Sequence, residues 1–169
     1  QAESKIQAEG WKGRNKQVKK NNFINCWITE EAFKQILIKK NIIFRHRGLY
    51  FGDAAGAGKD FIVKINNREV SIGIRSTTIR SIEKFKEVSY PYDRFTKQKD
   101  FISDYTIVCT LKNNVVKFFG AIQKNNFLEL LSKSTKKYSK KNQEYFLVVP
   151  FEKFSFDLML NLLERFDKL

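Results

Sequence analysis

GDAAGAGKDFIVKINNREVSIGIRSTT, residues 52–78, decides how the rest of the chain is read. A loop of small residues runs into Asp60. Phe61 to Ile65 then carries apolar residues at positions 61, 62, 63 and 65, which predicts a strand. Asn66-Asn67 marks a tight turn, and Arg68 to Ser76 returns as a second strand. That strand alternates strictly: Val70, Ile72 and Ile74 on one face, Glu69, Ser71, Gly73 and Arg75 on the other. A hairpin with an acid at its start and a cation near its far end can hold a metal and a phosphate together.

The loop itself invites a phosphate-loop reading, which it fails. The pattern needs glycine where Asp53 stands and Ser or Thr where Asp60 stands. It must also open a helix, and here a strand follows.

Composition narrows the classes. At 169 residues the chain is read as one domain, 1–169, large enough to bury a core. An apolar content of 42% and an aromatic content of 14% exclude a disordered chain. No apolar run approaches the roughly 20 residues that span a bilayer. The polar, charged beginning is no signal peptide, which points to an intracellular location, cytoplasm or nucleoid. The chain opens on Gln, so a longer parent chain is expected. Cys26, Cys109 and the single histidine, His46, have no zinc or Cys/His catalytic spacing. The thiols read as buried and free in a reducing compartment.

The net charge of +14 favours a polyanionic partner, nucleic acid before an anionic membrane. DNA is the first expectation and RNA remains open. An abundance of Lys, Asn, Ile and Phe is also what an AT-rich genome produces, with no binding role attached.

Taken in order, residues 2–25 predict one or two short basic helices. Lys12 and Arg14 lie in their densest basic segment, either on phosphates or on a solvated face. Thr29 predicts an N-cap, with Glu30 and Glu31 in the first turn of a helix that closes at Lys39-Lys40. Ile42 to Phe44 predicts a short strand, and His46 a turn residue. Thr77 or Thr78 predicts the cap of a helix with Ile79, Ile82 and Phe85 on its buried side. Residues 93–100 read as a charged loop. Tyr105 to Leu111 and Val115 to Ile122 read as strands joined at Asn113-Asn114. A helix follows around Phe127 to Leu131. Lys133 to Lys141 is a basic, flexible stretch that either contacts a phosphate backbone or is solvated. Tyr145 to Val149 is a strand, and Ser155 caps a last amphipathic helix. Helices between groups of strands imply an α/β layer fold with a mixed sheet.

This order, with Gly58-Lys59-Asp60-Phe61-Ile62-Val63 and Ile72-Gly73-Ile74-Arg75-Ser76 as its landmarks, resembles the PD-(D/E)XK nuclease superfamily. Ser103 to Val108 and Phe119 to Ile122 look like that family's third and fourth strands. The resemblance implies a restriction-endonuclease-like mixed sheet flanked by helices and Mg²⁺-dependent DNA endonuclease chemistry. It also implies dimers, by analogy with nucleases that cut both strands. In the family an N-terminal helix often carries a glutamate. An aspartate opens one strand, and Glu-x-Lys lies on the next. Two carboxylates hold the metal, and the lysine orients or activates water.

Here the glutamate position is Gly73, the lysine position is Arg75, and the helix offers Gln17. Arginine binds phosphate but cannot serve as a general base. Asp60 is therefore expected as the metal ligand, Arg75 as the phosphate contact, and a displaced acid as second ligand. Glu69 shares a face with Arg75 but lies roughly 13 Å from position 73 along an extended strand; Glu83 and Asp53 are the other candidates. Lys59, Arg75, Arg80, Lys12, Arg14, Lys136 and Lys137 are the expected nucleic-acid contacts. The alternatives are a catalytically inactive DNA-binding subunit of the same fold and a basic protein–protein interaction module.

Overall fold

The computed structural model describes residues 16–47 and 59–169. The described chain runs α1 (Lys16–Lys39), β1 (Phe44–His46), β2 (Phe61–Ile65), β3 (Arg68–Thr77), a π-helical turn (Ser81–Phe85), β4 (Glu87–Pro91), α2 (Tyr92–Gln98), β5 (Tyr105–Lys112), β6 (Val115–Gln123), α3 (Lys124–Lys133), β7 (Lys137–Ser139), β8 (Glu144–Pro150) and α4 (Phe156–Arg165). Five strands form a mixed sheet in the order β1-β2-β3-β5-β6. Every pairing in it is antiparallel except β3 with β5. A second, antiparallel sheet has the order β4-β8-β7. The α/β reading with a mixed sheet flanked by helices therefore holds.

Both asparagine turns form as the sequence indicates. Asn66 and Asn67 have φ of 51° and 65°, and Asn113 and Asn114 have 51° and 60°. Two successive left-handed residues match the right-handed twist of the flanking strands, and asparagine tolerates that backbone better than most residues.

The alternation of β3 sorts its side chains as expected. Ile72 is fully buried, and Val70 and Ile74 pack beside it against Phe33 and Leu37 of α1 and Leu162 of α4. The opposite face of the sheet, with Val108 and Ile122, packs against Phe127 and Leu131 of α3 and Leu147 and Val149 of β8. Gly120 is required on that face. A Cβ there would lie 2.8 Å from the backbone of Phe154 and Ser155. The close approach lets Ser155 exchange two backbone hydrogen bonds with Ala121, covering the outer edge of β6.

Several expectations fail locally. Thr29 is not an N-cap: α1 runs through it, and its hydroxyl donates to the carbonyls of Asn25 and Cys26. Threonine can satisfy its hydroxyl inside a helix this way, so a cap residue alone does not start one. His46 ends β1 opposite Phe61 instead of sitting in a turn. Phe85 is exposed, while Ile82 is buried. Residues 87–100 are not a helix end and a loop but strand β4 followed by α2. β4 owes its existence to pairing along β8, a tertiary partner that no local pattern announces. Lys137 to Ser139 likewise form β7 against β8. Ser155 does cap the last helix, its Oγ accepting from the Leu158 N–H at 3.1 Å. Among the described residues, no helix is long and apolar enough to cross a membrane.

Candidate functional site

Five elements meet at the end of the sheet where β2 begins: α1, β1, β3, β4 and α2. The register fixes the centre. Phe61 pairs with Ile72 across the hairpin, so one step outward brings Asp60 opposite Gly73. Asp60 does not leave the ladder. Its Oδ2 accepts a hydrogen bond from the Ile74 N–H at 2.7 Å, and its backbone carbonyl accepts from the Arg47 N–H at 2.9 Å. The carboxylate is thus held by main chain on a rigid hairpin.

The second acid is Glu30, which sequence reasoning assigned to a helix first turn. It is 5% exposed in the middle of α1. Phe23, Cys26, Glu30, Phe33 and Leu37 are spaced three and four apart, which is one helix face. Phe23, Phe33 and Leu37 are buried on it. An acid occupying an apolar position of such a stripe was the signal available in the sequence. Glu30 Oε2 lies 2.9 Å from His46 Nε2. The His46 ring stacks on Phe61, with centroids 4.5 Å apart and 10° between planes. Burial, then the charge of Lys34, lowers the His46 pKa. A neutral imidazole carrying hydrogen on Nε2 donates to Glu30, which fixes that carboxylate.

Asp60 and Glu30 oppose one another electrostatically. Burial first, and the charge of Glu30 second, push the Asp60 carboxyl up to about 8, against the Ile74 hydrogen bond and Arg94, which pull it down. Two arginines supply the positive side. Arg75 Nε donates to the Ser89 carbonyl at 2.7 Å, and its guanidinium lies 5.2 Å from the Tyr90 ring centroid. Arg94 of α2 lies 5.5 Å from the same ring. Tyr90 is buried and anchored edge-on against Phe127, so both cations rest on a fixed platform. Arg94 carried no sequence signal, because α2 itself was read as a loop.

Both thiols lie beside this centre, where they are held in the thiol form. Burial pushes Cys26 up to about 11, with Glu30 and Asp60 adding to it, and burial pushes Cys109 up to about 12.

The other expected residues are dispersed. Glu69 lies opposite Lys64, four residues along β2 from Asp60, and binds Arg45 at 2.8 Å on the surface. It is not brought to Asp60. Glu83 is exposed in the π-helical turn. Lys59 is exposed beside Asp60. Arg80 is exposed, 5.6 Å from the Phe85 ring. Lys136 lies over the Tyr92 and Tyr145 rings, and Lys137 meets Glu87 at 3.4 Å. Gln17 bonds Asn21 on the exposed side of α1. Lys12, Arg14 and Asp53 lie outside the described residues.

Among the described residues, no three of His, Cys, Asp and Glu gather as a metal-binding group. Among the described residues the carboxylates at the site are Glu30 and Asp60. That fits Mg²⁺, which is commonly held by one or two carboxylates and completes its shell with water and substrate phosphate. It does not fit zinc, which takes three or four nitrogen, sulfur or oxygen ligands from protein. Comparison with protein-family models, with curated proteins and with solved structures gives no match.

Proposed function

We propose that this chain binds DNA and hydrolyses its phosphodiester backbone at the Glu30–Asp60–Arg75–Arg94 centre, with Mg²⁺ held by Glu30 and Asp60. The carrying observation is the acid pair itself. Two carboxylates from different elements, Glu30 of α1 and Asp60 at the start of β2, lie near enough that burial and the Glu30 charge push the Asp60 carboxyl up to about 8. A divalent cation at such a pair would take the place of the Asp60 proton. A Mg²⁺ held by Glu30 and Asp60 would supply Lewis acidity towards the phosphate and its attacking water.

The chain's own residues do the positioning. The Ile74 N–H aims Asp60, and His46 aims Glu30. Arg75 and Arg94 offer planar donors to phosphate oxygens and a fixed positive charge for the transition state. Position 75 holds no amine, so Arg75 acts by charge and hydrogen bonding, not by proton transfer. The net charge of +14 supplies the attraction to DNA.

The topology supports the restriction-endonuclease-like reading. A helix bearing a buried glutamate precedes three antiparallel strands. The third of these is joined by a crossover to a parallel fourth. Glu30 fills the role of the helix glutamate, and Asp60 that of the strand aspartate. Gly73 favours a second reading, a DNA-binding subunit without catalysis, because the position opposite Asp60 offers no third acid.

Supercoiled plasmid at low salt with Mg²⁺, Mn²⁺ or EDTA separates the two. Metal-dependent nicking by the native chain, lost in both Glu30→Gln and Asp60→Asn, is the expected result. An intact plasmid that is retarded on a gel assigns the subunit reading. A plasmid neither cut nor retarded overturns both.

A further inference from the structure

The core face of β8 runs out into solvent. Leu147 and Val149 are buried on it, and by strand alternation Tyr145 belongs to the same face. Yet Tyr145 is 46% exposed. Its neighbour on β7, directly opposite in the register, is Tyr138, which is 55% exposed. The two rings meet edge to face, with centroids 5.0 Å apart. Lys136 sits between Tyr145 and Tyr92, 4.4 Å from the first ring centroid and 4.6 Å from the second. Lys140 and Lys141, both exposed, lie in the turn between the two strands.

A packing role accounts for little of this. Aromatic rings contribute to stability by leaving water, and these two stay about half in it. Lysines beside them keep the patch open and positively charged. Exposed aromatic faces with flanking cations are what holds an unpaired nucleic-acid strand: bases stack on the rings and phosphates meet the amines. A duplex offers its stacked bases to no ring. Acidic partners without bases would use the lysines and leave the rings idle.

We infer that Tyr138 and Tyr145, with Lys136, form a stacking platform for single-stranded DNA at the outer edge of the small sheet. The inference rests on the DNA-binding reading above. It adds that the chain engages an unpaired stretch of its substrate, at a surface built from β7 and β8 instead of the Glu30–Asp60 centre.

Fluorescence anisotropy tests it with labelled oligo-dT of about 15 nucleotides, long enough for one such site. The comparison ligands are a duplex of equal length and an abasic strand of equal charge. Tyr138→Ala and Tyr145→Ala should each weaken oligo-dT binding roughly tenfold. Tyr138→Phe and Tyr145→Phe, which keep the ring, should bind like the native chain. Duplex affinity should stay within about twofold in all four, and the abasic strand should bind the native chain as weakly as oligo-dT binds the alanine variants.

Native-like oligo-dT binding by the alanine variants, with duplex binding retained, overturns the platform and leaves the DNA reading standing. Equal losses for duplex and single strand reduce the patch to a general electrostatic surface and overturn it too. No binding of any DNA by the native chain overturns the platform and the DNA reading together. Both tyrosines are exposed, so the alanine variants should fold, and an unchanged thermal transition verifies it.

Discussion

Two aspartates do the same local job at opposite sides of β3, and only one of them belongs to a site. Asp104 stands just before β5, and its Oδ2 accepts from the Ser71 N–H at 2.8 Å and the Ser71 hydroxyl at 3.0 Å. Asp60 stands just before β2, and its Oδ2 accepts from the Ile74 N–H at 2.7 Å. Each extends a ladder by one bond beyond the last residue pair. Asp104 is exposed, and the Ser71 Oγ in turn accepts from the Asp104 N–H at 2.8 Å, so the exchange closes on itself. Asp60 feels the charge of Glu30 instead, and among the described residues no hydroxyl is bonded to it. A strand-start aspartate is therefore ordinary. A second buried acid beside it, facing two arginines held on one tyrosine, is what turns a ladder bond into a candidate site.

The sharpest way to break the comparison is activity. Glu30→Gln and Asp60→Asn should each lower metal-dependent plasmid nicking by on the order of a hundredfold or more, since each removes one of the two carboxylates of the proposed metal site. Asp104→Asn, which alters the same kind of bond, should change nicking by no more than about twofold. Equal losses in all three would mean that the aspartates matter through the sheet, and that the Glu30–Asp60 pair has no special standing.

Stability against pH comes next, and it turns on Asp60. The folded Asp60 pKa of about 8 is raised above its unfolded value of 3.8. The folded state then binds the extra proton, so the stabilisation is complete below pH 4 and is lost as pH rises through 8. One pKa unit is about 1.4 kcal/mol. Solvent reaches part of Asp60, so the whole effect is a few kcal/mol at most. Asp60→Asn should consequently melt higher than the native chain at pH 8, with the gap closing towards pH 4. Mg²⁺ should raise the native melting temperature more at pH 8 than at pH 6, because the proton competes for the same carboxylate. Thermal melts across that range, with and without Mg²⁺, check both. A gap independent of pH would assign the gain to something other than Asp60 ionisation.

The difference between the aspartates also marks how far the sequence could be read. The hairpin, its asparagine turn and the faces of β3 follow from period-two alternation and local turn chemistry, and all are in place. Asp60 and Arg75 were legible because the hairpin locates them. Glu30 was misread because Thr29 and two glutamates imitate a helix start, and only the spacing of Phe23, Cys26, Phe33 and Leu37 argues that the helix is already running. Arg94 and the Tyr90 platform depend on β4 pairing with β8, some 60 residues further along the chain. Contacts of that range leave no mark on local periodicity, so Arg94 and the platform that holds both arginines were out of reach.

Ser71→Ala removes the hydroxyl that closes the Asp104 exchange. It should cost about 1–2 kcal/mol, because the Asp104 N–H loses its acceptor in a partly buried place. A smaller effect is expected at a third aspartate. Asp167 accepts from the N–H groups of Asn66 and Asn67 at 3.0 Å and 2.8 Å, tying the C-terminal tail to the hairpin turn. Both bonds are exposed, so water replaces the lost acceptor when the side chain is removed. The backbone bonds of residue 167 to Lys64 and Ile43 also remain. Asp167→Ala should therefore cost no more than about 1 kcal/mol by urea denaturation, despite removing two hydrogen bonds. If it costs more than Ser71→Ala, the count of bonds governs these aspartates. If it costs less, enclosure governs them, and enclosure is the property that sets Asp60 apart.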